Sequence, residues 1–418
     1  MTAPGWVPVP PGGDFPVANL PYGVFAERPA GAAWSTGGTA RVGVAIGEYV
    51  LDVSRLRGRV AVPFAAELAG PALNPFLALG PPAWAELRER LTTLLTDPAY
   101  RDEVGPLLRP LSTVDLRLPF EVADYVDFYA SEAHATNVGR MFRPNEPPLQ
   151  PNWKRLPVGY HGRAGTVVVS GTPIVRPTGQ RGPGDGGAGD YGPCRQLDIE
   201  AEVGFVVGVG SRLGEPVAAG AFREHVFGVV LVNDWSARDI QRFETRPLGP
   251  FQGKAFATSI SPWVVPLAAL GEAWVPAPAQ EPEPVAYLRS PDRRALDLAL
   301  SVSWNGSEVS RPLLREMYWT PDQMLAQLTV TGANLRTGDL YASGTVSGYD
   351  RDRRGSLLEL TWNGSEPIRL DGDGQPRDFL RDGDTVTIRA TAPGSGGTPI
   401  GFGAVTGTIL PARIVAEP

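Results

Sequence analysis

The segment at residues 197–207, LDIEAEVGFVV, constrains the chain more than any other. From Val203 onward it is apolar and rich in β-branched and aromatic residues, which is typical of a β-strand. Because side chains alternate along a strand, Glu200 and Glu202 point to the same face. Two carboxylates beside an apolar run cost free energy unless a cation lies between them or one takes up a proton. For an isolated pair of glutamates, a solvated strand end is the simpler interpretation.

The composition favours a β-rich globular protein with many turns. Glycine (50 residues) and proline (43) are spread over many short segments of the 418-residue chain, and 42% of the residues are apolar. The net charge of -7 argues against nucleic acid as a partner. The single cysteine, Cys194, excludes an internal disulfide and a thiolate metal cluster. No signal-peptide pattern and no 18-residue apolar run are visible, so we expect a cytoplasmic protein without a membrane span.

Hydrophobic patterns predict two domains, at residues 1–118 and 119–418. In the first, residues 41–53 alternate as a small hairpin, and apolar residues recur at helical spacing over 84–95. The glycine-rich run 179–192 lacks the ending and the following helix of a phosphate-binding loop, which predicts a mobile surface loop.

Turn motifs in the C-terminal half predict hairpins and a short helix. The sequence WNGSE occurs at 304–308 and again at 362–366, and we predict that both copies form hairpin turns. Residues 320–323, TPDQ, predict a capping box at the start of a helix. The run LLEL at 357–360 predicts a strand that buries Glu359.

Acidic residues at predicted strand ends form a candidate metal site. Asp127 follows a short apolar stretch, and Asp234 ends the apolar run 227–232. With the two glutamates of the first segment they make four carboxylates, and an oxygen-only set favours Mg²⁺ or Ca²⁺ over zinc or copper. Asp234 is equally consistent with an ordinary helix N-cap.

A base has few candidates, because the chain holds only three histidines. His134 paired with Glu359 is one, since a carboxylate orients an imidazole and stabilises its protonated form. A structural role is the commoner fate of a lone histidine. Arg238 and Gln241 follow Asp234 at spacings that one helical face can present together, and Lys254 lies in a loop able to approach the same point.

The sequence resembles the fumarylacetoacetate hydrolase family. The resemblance rests on DYVDFY at 124–129, HATNVGRMFR at 134–143, LPVGYHGR at 156–163, EAE at 200–202, NDWSARDIQ at 233–241, PLGPFQGK at 247–254 and ISPWVVP at 260–266. Further matches at 19–25 and 382–384 extend it over nearly the whole chain.

The resemblance implies roles for individual residues. It implies metal ligation by Asp127, Glu200, Glu202 and Asp234; a second ion or substrate oxygens at Lys254 and Thr258; water activation by His134 and Glu359; charge stabilisation by Arg238, Gln241 and Lys254; and substrate binding by Tyr129, Arg143, Tyr160, Arg238, Gln241 and Thr345. One departure stands out. Thr245 occupies a position where the family usually has a tyrosine that contacts substrate.

The family resemblance also implies a fold and a reaction. The fold would be mainly β, with a small N-terminal SH3-like β-barrel carrying an added helix and a larger C-terminal mixed β-sandwich roll. The reaction would be hydrolysis of a carbon–carbon bond in a β-diketone, giving fumarate and acetoacetate at the end of tyrosine and phenylalanine breakdown. We would then expect Mg²⁺ or Ca²⁺, a small-molecule substrate and a homodimer. A relative that acts on acylpyruvates or decarboxylates a 2-oxo acid, and a calcium-stabilised β-sandwich binding module, are the alternatives.

Overall fold

The structure is a computed structural model that describes residues 5–28, 38–182, 190–372 and 374–413, and it is mainly β. The N-terminal part contains β1 (Tyr22–Glu27), β2 (Arg41–Ile46), β3 (Tyr49–Asp52), α1 (Asn74–Leu77), α2 (Pro81–Thr96), α3 (Arg101–Val104), β4 (Leu108–Pro110) and β5 (Val114–Arg117).

The C-terminal part begins with the elements that surround the acidic residues. They are β6 (Tyr125–Phe128), α4 (Glu132–Phe142), β7 (Gly159–His161), β8 (Val167–Val169), β9 (Ile174–Val175), β10 (Thr178–Arg181), β11 (Asp190–Pro193), β12 (Leu197–Asp198), β13 (Ala201–Val207), α5 (Phe222–His225), β14 (Val226–Asp234), β15 (Ser236–Ala237), α6 (Arg238–Glu244), α7 (Gln252–Ala255), β16 (Thr258–Ile260) and β17 (Trp263–Pro266).

The remaining elements complete the C-terminal part. They are β18 (Trp274–Pro276), β19 (Arg294–Leu296), β20 (Ala299–Trp304), β21 (Ser307–Ser310), α8 (Pro321–Thr329), β22 (Leu340–Ala342), α9 (Leu357–Leu360), β23 (Ile368–Arg369), β24 (Pro376–Arg377), β25 (Thr385–Ala392) and β26 (Ile400–Leu410).

One 13-stranded sheet runs through both parts of the chain. Its strand order is β4-β3-β2-β1-β17-β14-β13-β22-β6-β7, and β5, β16 and β8 pair beside this path. One edge of β1 pairs with β2, while the other edge is shared between β17 and β5. The described N-terminal strands therefore continue into the C-terminal sheet along an open path, and the expected closed SH3-like barrel is not confirmed. A second sheet has the order β21-β20-β25-β26-β9.

The helical and hairpin predictions for the N-terminal part are confirmed. Residues 41–53 form β2 and β3, which pair antiparallel around Gly47. Leu87, Leu91 and Leu94 of α2 are fully buried, as a stripe at helical spacing requires.

Two predictions of the C-terminal half are confirmed. The turn at residues 305–306 joins β20 to β21, and Thr320 and Gln323 form the capping box that begins α8.

Two other predictions for the C-terminal half are wrong. Residues 357–360 form the helical turn α9 instead of a strand, because the side chain of Ser356 accepts the backbone N–H of Glu359 and caps the turn. The second WNGSE copy consequently follows a helix, and it forms a turn that does not join two paired strands.

The predicted glycine-rich loop is described only at its ends. Residues 183–189 lie outside the described residues, and the segments on either side pair antiparallel as β10 and β11. Across the described ranges, no helix has both the length and the apolar character needed to cross a membrane.

Candidate active site

Adjacent strands bring the four predicted acids into one place. Asp127 lies on β6, Glu202 on β13 and Asp234 at the end of β14, while Glu200 immediately precedes β13. One carboxylate oxygen from each lies within 4.8 Å of the others, and all four residues are buried. This proximity follows from the strand order, in which β13 lies between β14 and β22, and β22 pairs with β6.

A glycine allows the loop after β22 to pass close to β6. Gly344 has a φ of 74°, and a Cβ at this position would lie 2.2 Å from the carbonyl oxygen of Phe128. Glycine tolerates both conditions. The backbone N–H of Gly344 consequently donates to Oδ1 of Asp127 at 3.1 Å, which orients this carboxylate.

These four acids, Asp127, Glu200, Glu202 and Asp234, form the acidic cluster. Because they are buried and repel one another, their charged forms cost free energy in the absence of a cation. Both carboxylate oxygens of Glu202 lack a hydrogen-bond partner among the described residues. Burial, followed by the charges of Asp127, Glu200 and Asp234, raises the pKa of Glu202 well above its ordinary value. Burial and the charge of Asp234 likewise raise the pKa of Asp127 well above its ordinary value. Such a buried, underbonded oxygen cluster fits a hard divalent cation.

Two cationic side chains contact the cluster. The Lys254 ammonium donates to Glu200 and, at 2.9 Å, to Oδ2 of Asp234. Arg238 Nη2 lies 2.7 Å from Oε1 of Glu200. Burial tends to raise the pKa of Glu200, but Lys254, Arg238 and His134 hold it below its ordinary value. These two cations can offset only two of the buried negative charges.

His134 lies between a carboxylate and the acidic cluster. It belongs to α4, whose N-cap Ser131 accepts its backbone N–H. Its Nδ1 is 2.6 Å from Oε2 of Glu359, and its Nε2 is 3.9 Å from Oε1 of Glu200. A carboxylate acceptor at Nδ1 assigns the proton to that nitrogen, so the lone pair of Nε2 faces the cluster.

Three neutral side chains fix the position of Glu359. Asn137 donates to Oε1 at 3.0 Å, and the hydroxyls of Ser347 and Ser356 each donate to Oε2 at 2.9 Å. Burial opposes ionisation of Glu359, but the neighbouring His134 and the hydrogen bonds from its ring, Asn137 and Ser356 hold the pKa of Glu359 below its ordinary value. Glu359 is therefore an ionised acceptor for the imidazole.

A cavity of about 370 Å³ opens over these groups. Its lining includes the predicted substrate-binding residues Tyr129, Tyr160, Arg238, Gln241 and Thr345, as well as Thr245. Phe142, Val158, Leu248 and Pro250 supply apolar surface.

The other predicted substrate residue, Arg143, does not line this cavity. Its guanidinium donates to the carbonyl oxygen of Pro148 at 3.0 Å.

Tyr160 and Thr258 contact the acidic cluster directly, because their hydroxyls donate to Asp234 at 2.9 and 3.0 Å.

Several polar residues that support the site are not indicated by the sequence. They are Asn137, Asp198, Ser347 and Ser356. Asn137 and Asp198 lie within or beside sequence runs already singled out, but neither residue type nor local spacing distinguishes them from ordinary polar positions.

Comparison with known proteins decides the family. Residues 18–119 match the family model described as "Fumarylacetoacetase N-terminal", and residues 124–410 match "Fumarylacetoacetate (FAA) hydrolase C-terminal". The chain belongs to the fumarylacetoacetate hydrolase family. Its resemblance to this family, first seen in short sequence runs, is thereby confirmed.

Relatives named fumarylacetoacetase match the chain along nearly its whole length. The Homo sapiens protein is 47% identical over 424 residues, which cover 98% of this chain and 99% of that protein. The protein from Oryza sativa subsp. japonica is 43% identical and covers 97% of each.

Two solved structures of the same fold are much more distant in sequence than these relatives. The fumarylacetoacetate hydrolase from Exiguobacterium antarcticum has a TM-score of 0.53 at 18% identity, covering 94% of this chain and 100% of that one. A putative HpcE protein from Mycobacterium smegmatis has a TM-score of 0.54 at 20% identity, covering 89% and 97%. These two likenesses show the fold alone, which is that of the fumarylacetoacetate hydrolase family.

Proposed function

We propose that the chain hydrolyses the carbon–carbon bond of 4-fumarylacetoacetate to give fumarate and acetoacetate, the last step of tyrosine and phenylalanine breakdown. The relatives named fumarylacetoacetase support this choice of substrate, because the Homo sapiens and Oryza sativa proteins both match this chain almost from end to end. The observation that carries the chemistry is the placement of His134 between Glu359 and the buried acidic cluster.

Asp127, Glu200, Glu202 and Asp234 would hold the ion. A divalent cation bound there would act as a Lewis acid on a carbonyl oxygen of the substrate. The oxygen-only donor set supports Mg²⁺ or Ca²⁺.

In this proposal Lys254 and Thr258 support the ion site without holding the ion themselves. A protonated ammonium has no lone pair, and the pKa of Lys254 is held above its ordinary value, against the effect of burial, by Asp234 and Glu200. Lys254 therefore neutralises charge, and Thr258 orients Asp234.

His134 would act as the general base. Its Nε2 takes a proton from water, and the water oxygen bonds to the substrate carbonyl carbon. Glu359 holds the ring through Nδ1 and stabilises the imidazolium that forms. When the carbon–carbon bond breaks, its electron pair leaves with acetoacetate as an enolate, which takes up the proton.

Cationic and amide groups beside the cavity would stabilise the developing negative charge. Arg238 and Lys254 carry positive charge, and Gln241 accepts from Arg238 Nη1 at 3.1 Å, which leaves its amide N–H groups available. Arg143 suits the substrate carboxylate by its planar, two-pronged donor geometry, and this contact stays a prediction.

Finer features of the proposal rest on the family resemblance. The two family models meet between residues 119 and 124, which supports domains at 1–118 and 119–418. We extend the proposal to a homodimer and a cytoplasmic location.

Thr245 favours one competing substrate class. It lines the cavity where the family usually has a tyrosine that contacts substrate, and threonine is the shorter side chain, so the substrate would be held differently here. An acylpyruvate is therefore the second candidate.

A spectrophotometric assay tests the proposal. Purified protein loaded with Mg²⁺ or Ca²⁺ should remove the absorbance of fumarylacetoacetate, and chelator should abolish this activity until the ion is restored. Turnover of an acylpyruvate in place of fumarylacetoacetate would favour the second candidate. No turnover of either by ion-loaded, folded protein would exclude both.

A further inference from the structure

Asp198 is a buried carboxylate that the proposed reaction does not use. It is fully buried at the end of β12, two residues before Glu200. Its Oδ2 accepts Arg238 Nε at 2.8 Å and the backbone N–H of Leu358 at 3.1 Å. Its Oδ1 accepts the backbone N–H groups of Leu357 and Ile199, each at 2.7 Å.

These four hydrogen bonds use all the accepting directions of the Asp198 carboxylate. An asparagine at the same position has one accepting oxygen and one donating nitrogen. It must therefore place a donor against Arg238 or against the backbone N–H groups of α9. Only a carboxylate accepts from Arg238 and from the backbone N–H groups of α9 at the same time.

The two sides of Asp198 belong to different parts of the site. On one side, the guanidinium of Arg238 reaches Glu200 at 2.7 Å and Gln241 at 3.1 Å. On the other, Leu357 and Leu358 begin α9, which carries Glu359. A backbone bridge between Glu200 and Ser356 runs beside this link.

We infer that Asp198 is a positioning residue, which fixes the Arg238 guanidinium and the first turn of α9 in one mutual arrangement. The charge-stabilising groups and the His134–Glu359 pair then meet the substrate with a set spacing. This inference rests on the proposed function, because Arg238 and Glu359 have their roles there. A displacement of about 1 Å in such groups can lower turnover by about 10²-fold.

The first test compares Asp198→Asn with a matched control. Asp384→Asn changes another buried aspartate that accepts an arginine (Arg377, 2.6 Å) and a backbone N–H (Arg381, 2.7 Å), but it does not line the cavity. Asp198→Asn should lower kcat about 10- to 10²-fold, with KM changed by less than about threefold. Asp384→Asn should lower the melting temperature and leave kcat per folded molecule unchanged. A kcat of Asp198→Asn within about twofold of the wild type would overturn the positioning role.

A double-mutant cycle tests whether Asp198 acts through Arg238. In an Arg238→Leu background, Asp198→Asn should cost much less than it does in the wild type, because the guanidinium that it positions is gone. An Asp384→Asn substitution in the same background serves as the uncoupled control. If the kcat losses of Asp198→Asn and Arg238→Leu simply multiply, the coupling is absent and the inference fails.

Hydrogen exchange gives a readout that needs no substrate. In Asp198→Asn, the amides of Leu357 and Leu358 should exchange faster, while amides of β25 should not. Unchanged exchange at both leucines would overturn the link, whatever the activity. If the wild-type protein fails to hydrolyse fumarylacetoacetate but the exchange rises as expected, the proposed function fails and the structural link stands. Should Asp198→Asn not fold, the smaller Asp198→Ser enters the same measurements.

Discussion

At the scale of single residues, Glu202 is a buried acid that a bound cation would stabilise. It is fully buried, and neither of its carboxylate oxygens has a hydrogen-bond partner among the described residues. Burial and three neighbouring acids raise its pKa, which means that its charged form destabilises the ion-free fold. A bound cation reverses this cost. Binding of the ion and folding should therefore be linked.

Removal of divalent ions is expected to lower the melting temperature. At an ion concentration of about 100 times Kd, the bound ion adds about 2.7 kcal/mol to the free energy of unfolding. Glu202→Gln removes one charge at nearly constant shape, so the ion-free variant should be at least as stable as the ion-free wild type. Added Mg²⁺ or Ca²⁺ should stabilise it less. Calorimetry with EDTA and with each ion measures both effects, and equal ion-induced shifts in the two proteins would contradict the expectation.

The imidazole–carboxylate pair gives a second expectation at this scale. His134→Ala removes the base, and Glu359→Gln removes the acceptor that sets the tautomer, so either change should lower kcat by at least about 10²-fold. His225→Ala is the matched control, because its ring bonds the carbonyl oxygen of Val209 and does not line the cavity. Rates on fumarylacetoacetate, corrected for folded protein, provide the measurement. Near-normal turnover of His134→Ala would rule out the base.

The residue scale also shows what the sequence could and could not predict. Glu200 and Glu202 were found because charges beside an apolar strand are unusual enough to need a partner, and the structure brings them together with Asp127 and Asp234. Asp198 was missed. Its partner Leu357 lies 159 positions away in the sequence, and no local pattern predicts such a pairing.

At the scale of elements, α9 shows why short apolar runs mislead. The run LLEL suits a buried strand or a helical turn equally well, because four residues are too few to show a period. What decides is Ser356, whose hydroxyl accepts the N–H of Glu359. A serine three residues before an acid is a capping pattern, so the sequence did contain the signal. By contrast, the longer stripe of α2 shows its period over several turns, and prolines on either side mark where the helix begins and ends.

A buried ion pair beside the β20–β21 turn gives a prediction on pH. Burial opposes ionisation of Asp384, but Arg377, the Arg381 N–H and Asn305 hold its pKa below its ordinary value. The stabilisation that it provides is thus complete above the unfolded pKa, about 3.9, and is lost as the pH falls through the lower folded pKa.

Asp384→Asn should accordingly lower the free energy of unfolding by about 1.5–3 kcal/mol at neutral pH. The free energy of unfolding of this variant should also fall less steeply than that of the wild type as the pH drops below about 4. Urea unfolding at a series of pH values measures both. The exposed Asp352→Asn is the control, with an expected change of less than about 0.5 kcal/mol. A variant as stable as the wild type at neutral pH would contradict the role of this ion pair.

At the scale of the whole molecule, one sheet unites parts that the sequence pattern separates. Tyr22 of β1 pairs with Val264 of β17, which joins the N-terminal strands to those that carry the acidic cluster. The mainly β class followed from turn-rich composition and alternating segments. The open continuation of the sheet did not, because the pairing of β1 with β17 depends on contacts between residues more than 200 positions apart, which no local period reports.

A cluster of aromatic rings packs at this junction, and it gives a prediction about the stability of the protein. Phe227 of β14 packs against Tyr22, Phe76 and Trp84, with ring centroids 5.4, 6.1 and 5.2 Å away. Phe227→Ala removes the ring that these three share, so it should cost about 3–5 kcal/mol.

The same contacts predict how the protein unfolds. Because the sheet and the ring cluster both cross the junction, the variant should still show a single calorimetric transition at a lower temperature, with both parts melting together. The exposed Leu213→Ala controls for loss of apolar surface alone and should change stability by less than about 0.5 kcal/mol. Two separated transitions in Phe227→Ala would mean that the N-terminal strands fold independently of the strands that hold the acids.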